Sequence, residues 1–448
     1  MTTSTKPPAG TRDYLPADIR RREYVIDVIR GVYERYGFEP LETPAFENIE
    51  TLLGKYGDES SKLIFKILKR GEHERTGEAD LALRYDLTVP LARVIAQYQN
   101  DLPKFFKRYQ IQPVWRADRP AKGRFREFYQ CDIDTIGSTS PIVEAEQLAA
   151  ATDVFTGLGF KDFSIRLNDR RVLTALLECA GVGASLHDSA LVAIDKLDKI
   201  GTDGVARELA GRGVPPEAAE RALSLFSSVE PGDPIDELTD VRRLLDRHEQ
   251  GKKAIESLLA IATLAKGTPA YGHLRVDLTL ARGLSYYTAA ILEINVPDLS
   301  GSLAGGGRYD NLIGMFLGRD VPACGLTLGL ERIIVVMTER NMFPAAVAGG
   351  SVDVMVTMWA EDDLRAAAIA VAAELRKAGL RVAVYPEPDK LGKQFKYAAD
   401  RRVPFVAVQG GDERAKNVVN IKDLRTGEQQ TVAQSEAAAF VVRGLREI

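Results

Sequence analysis

At 448 residues with a formal charge of −4, the chain has room for roughly two to four domains and shows no overall electrostatic pull toward nucleic acid. Cys131, Cys179 and Cys324 lie far apart with no C-x-x-C, which argues against a disulfide framework or zinc site and for a reducing cytosol. The start, MTTSTKPPAG, has no apolar core and no apolar run reaches spanning length, so neither a secretory signal nor a membrane segment is expected.

Residues 1–8 read as a loose tail and GTRDYLP as a loop. Ile19 to Tyr36 reads as a helix with Tyr24, Val28, Val32 and Tyr33 on one side, stopped by Gly37. Phe38 to Glu47 looks like a strand that Pro44 restricts to an edge or bulge. Leu81 to Arg93 is a short strand entering a helix, with Asp86 and Thr88, both good capping residues, at the junction.

The stretch from Arg108 to Gly137 carries the densest chemistry. Two strand-like runs, Tyr109 to Arg116 and Arg124 to Ile136, flank a turn-forming segment with Pro120 and Gly123. Period-2 alternation puts Arg124, Arg126, Phe128, Gln130, Asp132 and Asp134 on one face of the second run. Cations at one end and an amide with carboxylates at the other suit an extended, bipolar ligand. Phosphates would sit by Arg116, Arg124 and Arg126, and an amine or polar ring near Gln130 and Asp134. A solvated hairpin with its charges facing water would give the same alternation. Lys104, Lys107, Arg108, Arg116, Arg119, Lys122, Arg124 and Arg126 also form the densest basic patch, where any RNA contact would fall.

From Asn168 to about Gly267 strand patterns give way to helical ones: Leu173 to Ala180, Ala190 to Ile200, and PPEAAERALSLF. Strands return at Leu274 with RVDLTLARGLSYYTAAILEI, where a strict strand would put Arg282 and Tyr287 on opposite faces, so a bend at Gly283 is needed for both to reach one ligand. The glycines of GSLAGGGRYDNLIGMF lack phosphate-loop spacing and suggest close backbone approach to a small ligand. Cys324 to Met337 is an apolar strand entering a helix, with Glu331 and Arg332 at the junction. Ala345 to Gly350 reads as a linker. After it, strand Val352 to Met358, helix Glu361 to Lys377, strand Arg381 to Tyr385, a helix from Leu391, strand Phe405 to Val408, a strand pair and a last helix predict a compact α/β domain. Lys390, Lys393, Lys396, Arg401 and Arg402 give it a basic edge.

Five of these segments, in order, resemble the motifs of histidyl-tRNA synthetases, a family of class II aminoacyl-tRNA synthetases. The helix, strand and Pro44 resemble the first class II motif, RYDLTVP the amino-group segment, and R-x-D-R-P-x-K-G-R-F-R-E-F-Y-Q-C-D-x-D the second motif. ARGLSYYTAA resembles the histidine-specific motif, and G-L-x-x-G-x-E-R the third class II motif. Two positions depart: Ser285 stands where aspartate is commonest, and Ala289 where glycine is usual.

The resemblance implies an α+β fold: a class II antiparallel catalytic sheet with helices (1–168 and 268–343), a helical insertion against the tRNA acceptor arm (169–267) and an anticodon-binding α/β domain (350–448). It implies a cytoplasmic homodimer that activates L-histidine with ATP and Mg²⁺ and transfers it to histidine tRNA. Asp86, Thr88 and Gln130 would hold the α-ammonium, and Asp134, Tyr286 and Tyr287 the imidazole end. Arg116 and Arg282 would grip the α-phosphate and carboxylate as the catalytic pair. Arg124 would hold the departing pyrophosphate, with Phe125 and Arg332 on either side of adenine. The alternatives are a regulatory paralogue sensing histidine, a class that lacks the C-terminal domain and loses the histidine motifs kept here, or a non-catalytic sensing module, for which only Ser285 speaks.

Overall fold

The structure is a computed structural model that describes residues 4–55, 61–71, 76–229, 231–281, 286–348 and 350–446. It divides into two compact units, Met1–Met342 and Phe343–Ile448.

The first unit is built on strands β1 (Glu39–Pro40), β2 (Phe46–Asn48), β3 (Lys66–Leu68), β4 (Ala79–Leu83), β5 (Phe106–Trp115) and β6 (Glu127–Ile136). β7 (Ser164–Asp169), β8 (Leu274–Val276), β9 (Ala290–Asn295), β10 (Ala304–Arg308) and β11 (Ala323–Gly329) complete it. Eight of them form one sheet in the order β1-β5-β6-β11-β10-β9-β7-β8, while β2, β4 and β3 make a small separate sheet. Only the outer pairs β1–β5 and β7–β8 are parallel; the centre is antiparallel. Pro40 sits in the short edge strand β1, where a missing N–H is tolerated.

Helix Pro16–Arg35 covers one face of this sheet. Its Val25, Ile29, Val32 and Tyr33 are buried, following the helical period, and the Tyr33 hydroxyl donates to the Cys131 carbonyl of β6 at 2.9 Å. Tyr109 of β5 points the same way and donates to Glu34 at 2.9 Å. The opposite face of β5 and β6 is therefore left for polar residues.

Between β7 and β8 the chain forms helices Arg170–Ala180, His187–Ile194, Leu197–Gly211, Pro216–Phe226, Pro234–Leu244 and Glu249–Ala265. The last packs on helix Ile142–Gly157 and on β7, so this helical region belongs to the first compact unit. Ala190 to Ile200, read as one helix, is broken at Lys196, and Gly201 (φ 68°) kinks the segment that follows.

The second unit is a five-stranded sheet, β13-β12-β14-β15-β16, of strands β12 (Val354–Val356), β13 (Val382–Val384), β14 (Phe405–Val408), β15 (Val418–Asp423) and β16 (Gln429–Ala433). The first three are parallel, joined by crossover helices Asp362–Lys377 and Leu391–Asp400, as the alternation predicts. The expected linker is instead partly helical: Ala345–Ala348 form a turn of helix, consistent with alanine's propensity.

Candidate active site

Strand register decides what faces what. On β6, Gln130, Asp132 and Asp134 stand opposite Gln112, Gln110 and Arg108 of β5 and opposite Gly329, Thr327 and Gly325 of β11. The next strand, β10, puts Gly305 beside Thr327 and Gly307 beside Gly325. Side chains therefore rise from β5 and β6, while the neighbouring glycine rows leave a hollow. A cavity of about 300 Å³ occupies it.

Gly325 cannot be anything larger. A Cβ there would lie 1.9 Å from Asp134 Oδ1, because the carboxylate leans across the strand. The triple glycine is used differently from the sequence expectation. Gly305 borders the cavity, but a Cβ on Gly306 would meet the Gly325 carbonyl at 2.1 Å, so this residue serves strand-to-strand approach and not the ligand.

Ten of the residues singled out from sequence line this one cavity: Asp86, Thr88, Arg116, Arg124, Phe125, Gln130, Asp134, Tyr286, Tyr287 and Arg332. Arg282, Gly283 and Ser285 lie outside the described residues. Asp86 does both things its type allows: it borders the cavity, and its Oδ1 caps helix Thr88–Gln97 by accepting from the Val89 N–H at 3.0 Å.

At the Asp134 end the chemistry is a buried ion cluster. Arg108, fully buried, lies 2.8 Å from Asp134 Oδ2 and 3.8 Å from Asp132 Oδ2. It is thus removed from the basic surface patch that the sequence suggested. The Tyr309 hydroxyl donates to Asp134 Oδ1, and Thr327 donates to Asp132 Oδ1. Burial pushes the Asp132 carboxyl up to about 7, against the pull of Arg108 and with the help of Asp134. Asp134 is raised for the same reason and opposed by Arg108 and Tyr309. Burial also keeps the Tyr286 and Tyr309 phenols well above their ordinary value, so both remain donors.

At the other end, the Arg116 Nε–H donates to the Tyr85 carbonyl at 3.0 Å, and its guanidinium lies 4.3 Å from the Tyr85 ring and 5.2 Å from that of Phe128. That holds the cation in one plane at the cavity wall. Arg332 donates to the carbonyls of Ser302 at 2.6 Å and Gly123 at 3.3 Å, tying the third motif to the second. Its neighbour Glu331 is buried, paired with Arg22 at 2.8 Å and accepting the Tyr129 N–H at 2.9 Å, which anchors helix Leu330–Glu339 to β6.

The second motif departs from a continuous strand. β6 begins at Glu127, so Arg124 and Arg126 belong to the preceding loop and escape the alternation. Arg124 remains at the cavity, 2.8 Å from Asp118. Arg126 turns away: it donates to the Asp118 and Ala9 carbonyls, and its backbone N–H to the Gly10 carbonyl. The GTRDYLP loop is thereby strapped to the motif, with the Arg12 guanidinium 4.5 Å from the Phe125 ring.

Phe128, Asp132, Thr327 and Tyr309 also line the cavity. Sequence reading put Phe128 and Asp132 on the right face without giving either a role. Thr327 and Tyr309 sit inside quoted motifs, but only strand pairing brings them to β6.

Residues 10–333 match the family model for histidyl-tRNA synthetase, and residues 351–443 that for an anticodon-binding domain. The chain belongs to the histidyl-tRNA synthetase family. It is 43% identical to the histidine–tRNA ligase of Porphyromonas gingivalis over 97% of this chain and 98% of that protein. With the histidine–tRNA ligase of Flavobacterium johnsoniae it shares 40% identity over 96% of this chain and 98% of that one. Among solved structures, the histidyl-tRNA synthetase of Nostoc sp. PCC 7120 superposes with a TM-score of 0.84 at 33% identity, covering 99% of this chain and all of that one.

Proposed function

We infer that the chain activates L-histidine with ATP to histidyl-adenylate and transfers the histidyl group to the 3′ end of histidine tRNA. The observation that carries this reading is the single cavity in which Asp86, Thr88, Gln130, Tyr286 and Tyr287 share a wall system with Arg116, Arg124 and Arg332. That is acceptors for an ammonium and partners for a polar ring beside cations for phosphates, in a chain matching histidine–tRNA ligases over nearly its whole length. The regulatory reading gains no support, since the histidine motif residues and the C-terminal unit are both present.

In the first step the histidine carboxylate attacks the α-phosphorus, forming the C–O–P bond while the Pα–O bond to pyrophosphate breaks. In the second, the terminal ribose hydroxyl attacks the carbonyl and AMP leaves. No side chain has to act as nucleophile, so the protein's task is positioning and charge stabilisation. Arg116 faces the α-phosphate and Arg124 the pyrophosphate. We place the base between Arg332 and Phe128, which stands on β6 beside Arg116, with Phe125 at the edge beside Arg12. Mg²⁺ would come bound to the ATP phosphates and supply charge neutralisation there. Asp118, paired with Arg124, is a carboxylate at that end, and among the described residues no three-carboxylate or histidine cluster is built to hold a metal alone. The helix, strand and Pro44 that resemble the first class II motif support a homodimer. No helix among the described residues is long and apolar enough to cross a membrane, and the unpaired cysteines are consistent with the cytoplasm. Histidine-dependent ATP–pyrophosphate exchange, followed by charging of histidine tRNA, tests the reading; a chain inert in both would overturn it.

Imidazole offers one donor and one acceptor nitrogen. Asp134 can accept the N–H, since its oxygens keep lone pairs beyond those used by Tyr309 and Arg108, and the buried Tyr287 hydroxyl can donate to the other nitrogen. Tyr287→Phe should therefore lower kcat/KM for histidine roughly ten- to a hundredfold, with the ATP KM nearly unchanged. Exchange kinetics with each substrate varied in turn would check this, and an effect on ATP alone would move the imidazole elsewhere.

The second unit reads tRNA in this account, with exposed Lys390, Lys393, Lys396, Arg401 and Arg402 along one edge. Every cavity residue precedes Phe343. A chain ending at Met342 should still form histidyl-adenylate but charge tRNA at least about tenfold more slowly, having lost its second point of attachment. Equal charging by the short and full chains would refute it.

A further inference from the structure

We propose that Asp132 and Thr327 are positioning residues that fix which atom of the Gln130 amide meets the histidine ammonium. The proposal rests on the functional reading above and adds two residues to it.

Hydrogen-bond polarity decides how the amide sits. Asp132 and Thr327 face each other across β6 and β11, and the threonine hydroxyl donates its single proton to Asp132 Oδ1. Once ionised, above about pH 7, the Asp132 carboxylate can only accept, and there the direction of that bond is set. The threonine oxygen can then only accept from Gln130, whose amide nitrogen lies 3.2 Å away. With its NH₂ held there, the other amide atom, Oε1, is directed elsewhere. Oε1 is buried and has no hydrogen-bond partner among the described residues, while its side chain lines the cavity. An orphaned buried acceptor is costly, and one kept at a ligand site is completed by the ligand's donor.

An ammonium needs acceptors and is repelled by N–H groups. A glutamine can present either, and its two amide ends have nearly the same shape. The Asp132–Thr327 relay removes the choice: the flipped amide would set its Oε1 against the threonine oxygen, acceptor to acceptor, and its NH₂ against the ammonium, donor to donor. Glycines at 325 and 329 on either side of Thr327 leave this hydroxyl as the polar side chain of β11 facing the cavity next to Gln130. Neither residue touches the imidazole or the phosphates in this account, so the effect should be confined to the amino group.

Thr327→Val removes the hydroxyl and keeps the β-branched shape; Thr327→Ser restores the hydroxyl. In the full-length protein, Thr327→Val should raise the histidine KM roughly tenfold and leave the ATP KM unchanged, with Thr327→Ser close to the parent. Competitive inhibition separates this from a packing defect. Histidinol, which keeps the ammonium, should lose affinity by the same factor, whereas 3-(imidazol-4-yl)propionate, which lacks it, should not. In a Gln130→Met background the Thr327→Val change should cost nothing more, because the hydroxyl acts through that amide. The proposal is overturned if both inhibitors weaken equally, if the two substitutions are additive, or if histidine KM does not move. Absence of histidine-dependent exchange in the parent chain would strike the underlying reading and this proposal with it.

Discussion

Arg116→Ala is expected to slow histidine-dependent ATP–pyrophosphate exchange by roughly 10²- to 10³-fold, the usual cost of removing a preorganised charge from a developing anion. Charge builds on the α-phosphate oxygens as the carboxylate attacks, and Arg116 reaches the cavity already held by the Tyr85 carbonyl and flanked by two aromatic rings. Because the side chain is fixed before substrate arrives, little reorganisation is left to the reaction itself. Arg116→Lys should recover little of the loss, since an ammonium on a flexible stem cannot occupy the same aromatic slot and bond in the same plane. The side chain is only half-buried and pairs with no carboxylate among the described residues, so the unfolding transition should barely move. Exchange rates and thermal melts on the same preparations check both halves. A normal kcat with a raised ATP KM would instead make Arg116 a ground-state binding residue.

Arg108→Met should destabilise the first unit by about 3–5 kcal/mol, because it strands Asp132 and Asp134 as buried carboxylates without their cation. The loss must depend on pH, and its sign follows from the carboxyls. Burial already raises both above the ordinary range and Arg108 holds them down, so its removal raises them further. A carboxyl whose folded value exceeds its unfolded one favours folding when protonated and opposes it once pH climbs through the folded value. The penalty should therefore be largest near pH 8 and shrink toward pH 5, where both groups can be neutral. Urea unfolding of parent and variant at the two pH values would show it. A pH-independent difference would mean that lost packing, and not stranded charge, dominates.

Much of this site was legible because class II motifs are local. RYDLTVP carries Asp86 and Thr88 on a strand–helix junction, and period-2 alternation from Phe128 to Asp134 does assign one face to the cavity. Where alternation was extended past the strand it failed. Arg126 was grouped with the phosphate-binding arginines, yet β6 starts one residue later, and Arg126 spends its guanidinium on loop carbonyls. Phe125, to which the resemblance assigns the base, lies in that same loop beside Arg12 and still lines the cavity. Periodicity speaks only for residues whose backbone is in the ladder.

By itself, the sequence determined the order of motifs, the family they resemble, the α/β character of the second unit and the residue types available to meet an ammonium, a ring and phosphates. Tertiary structure alone decided the protonic wiring. That Arg108 leaves the surface to neutralise two carboxylates, that Glu331 is spent on Arg22, and that Thr327 stands between Asp132 and Gln130 all follow from pairings across gaps of about 20 to 310 residues. Each depends on the register of β5, β6 and β11 or on a helix docked behind them. A one-residue slip would send those side chains to the opposite face, and nothing in the local pattern of any single strand specifies the partner it will meet.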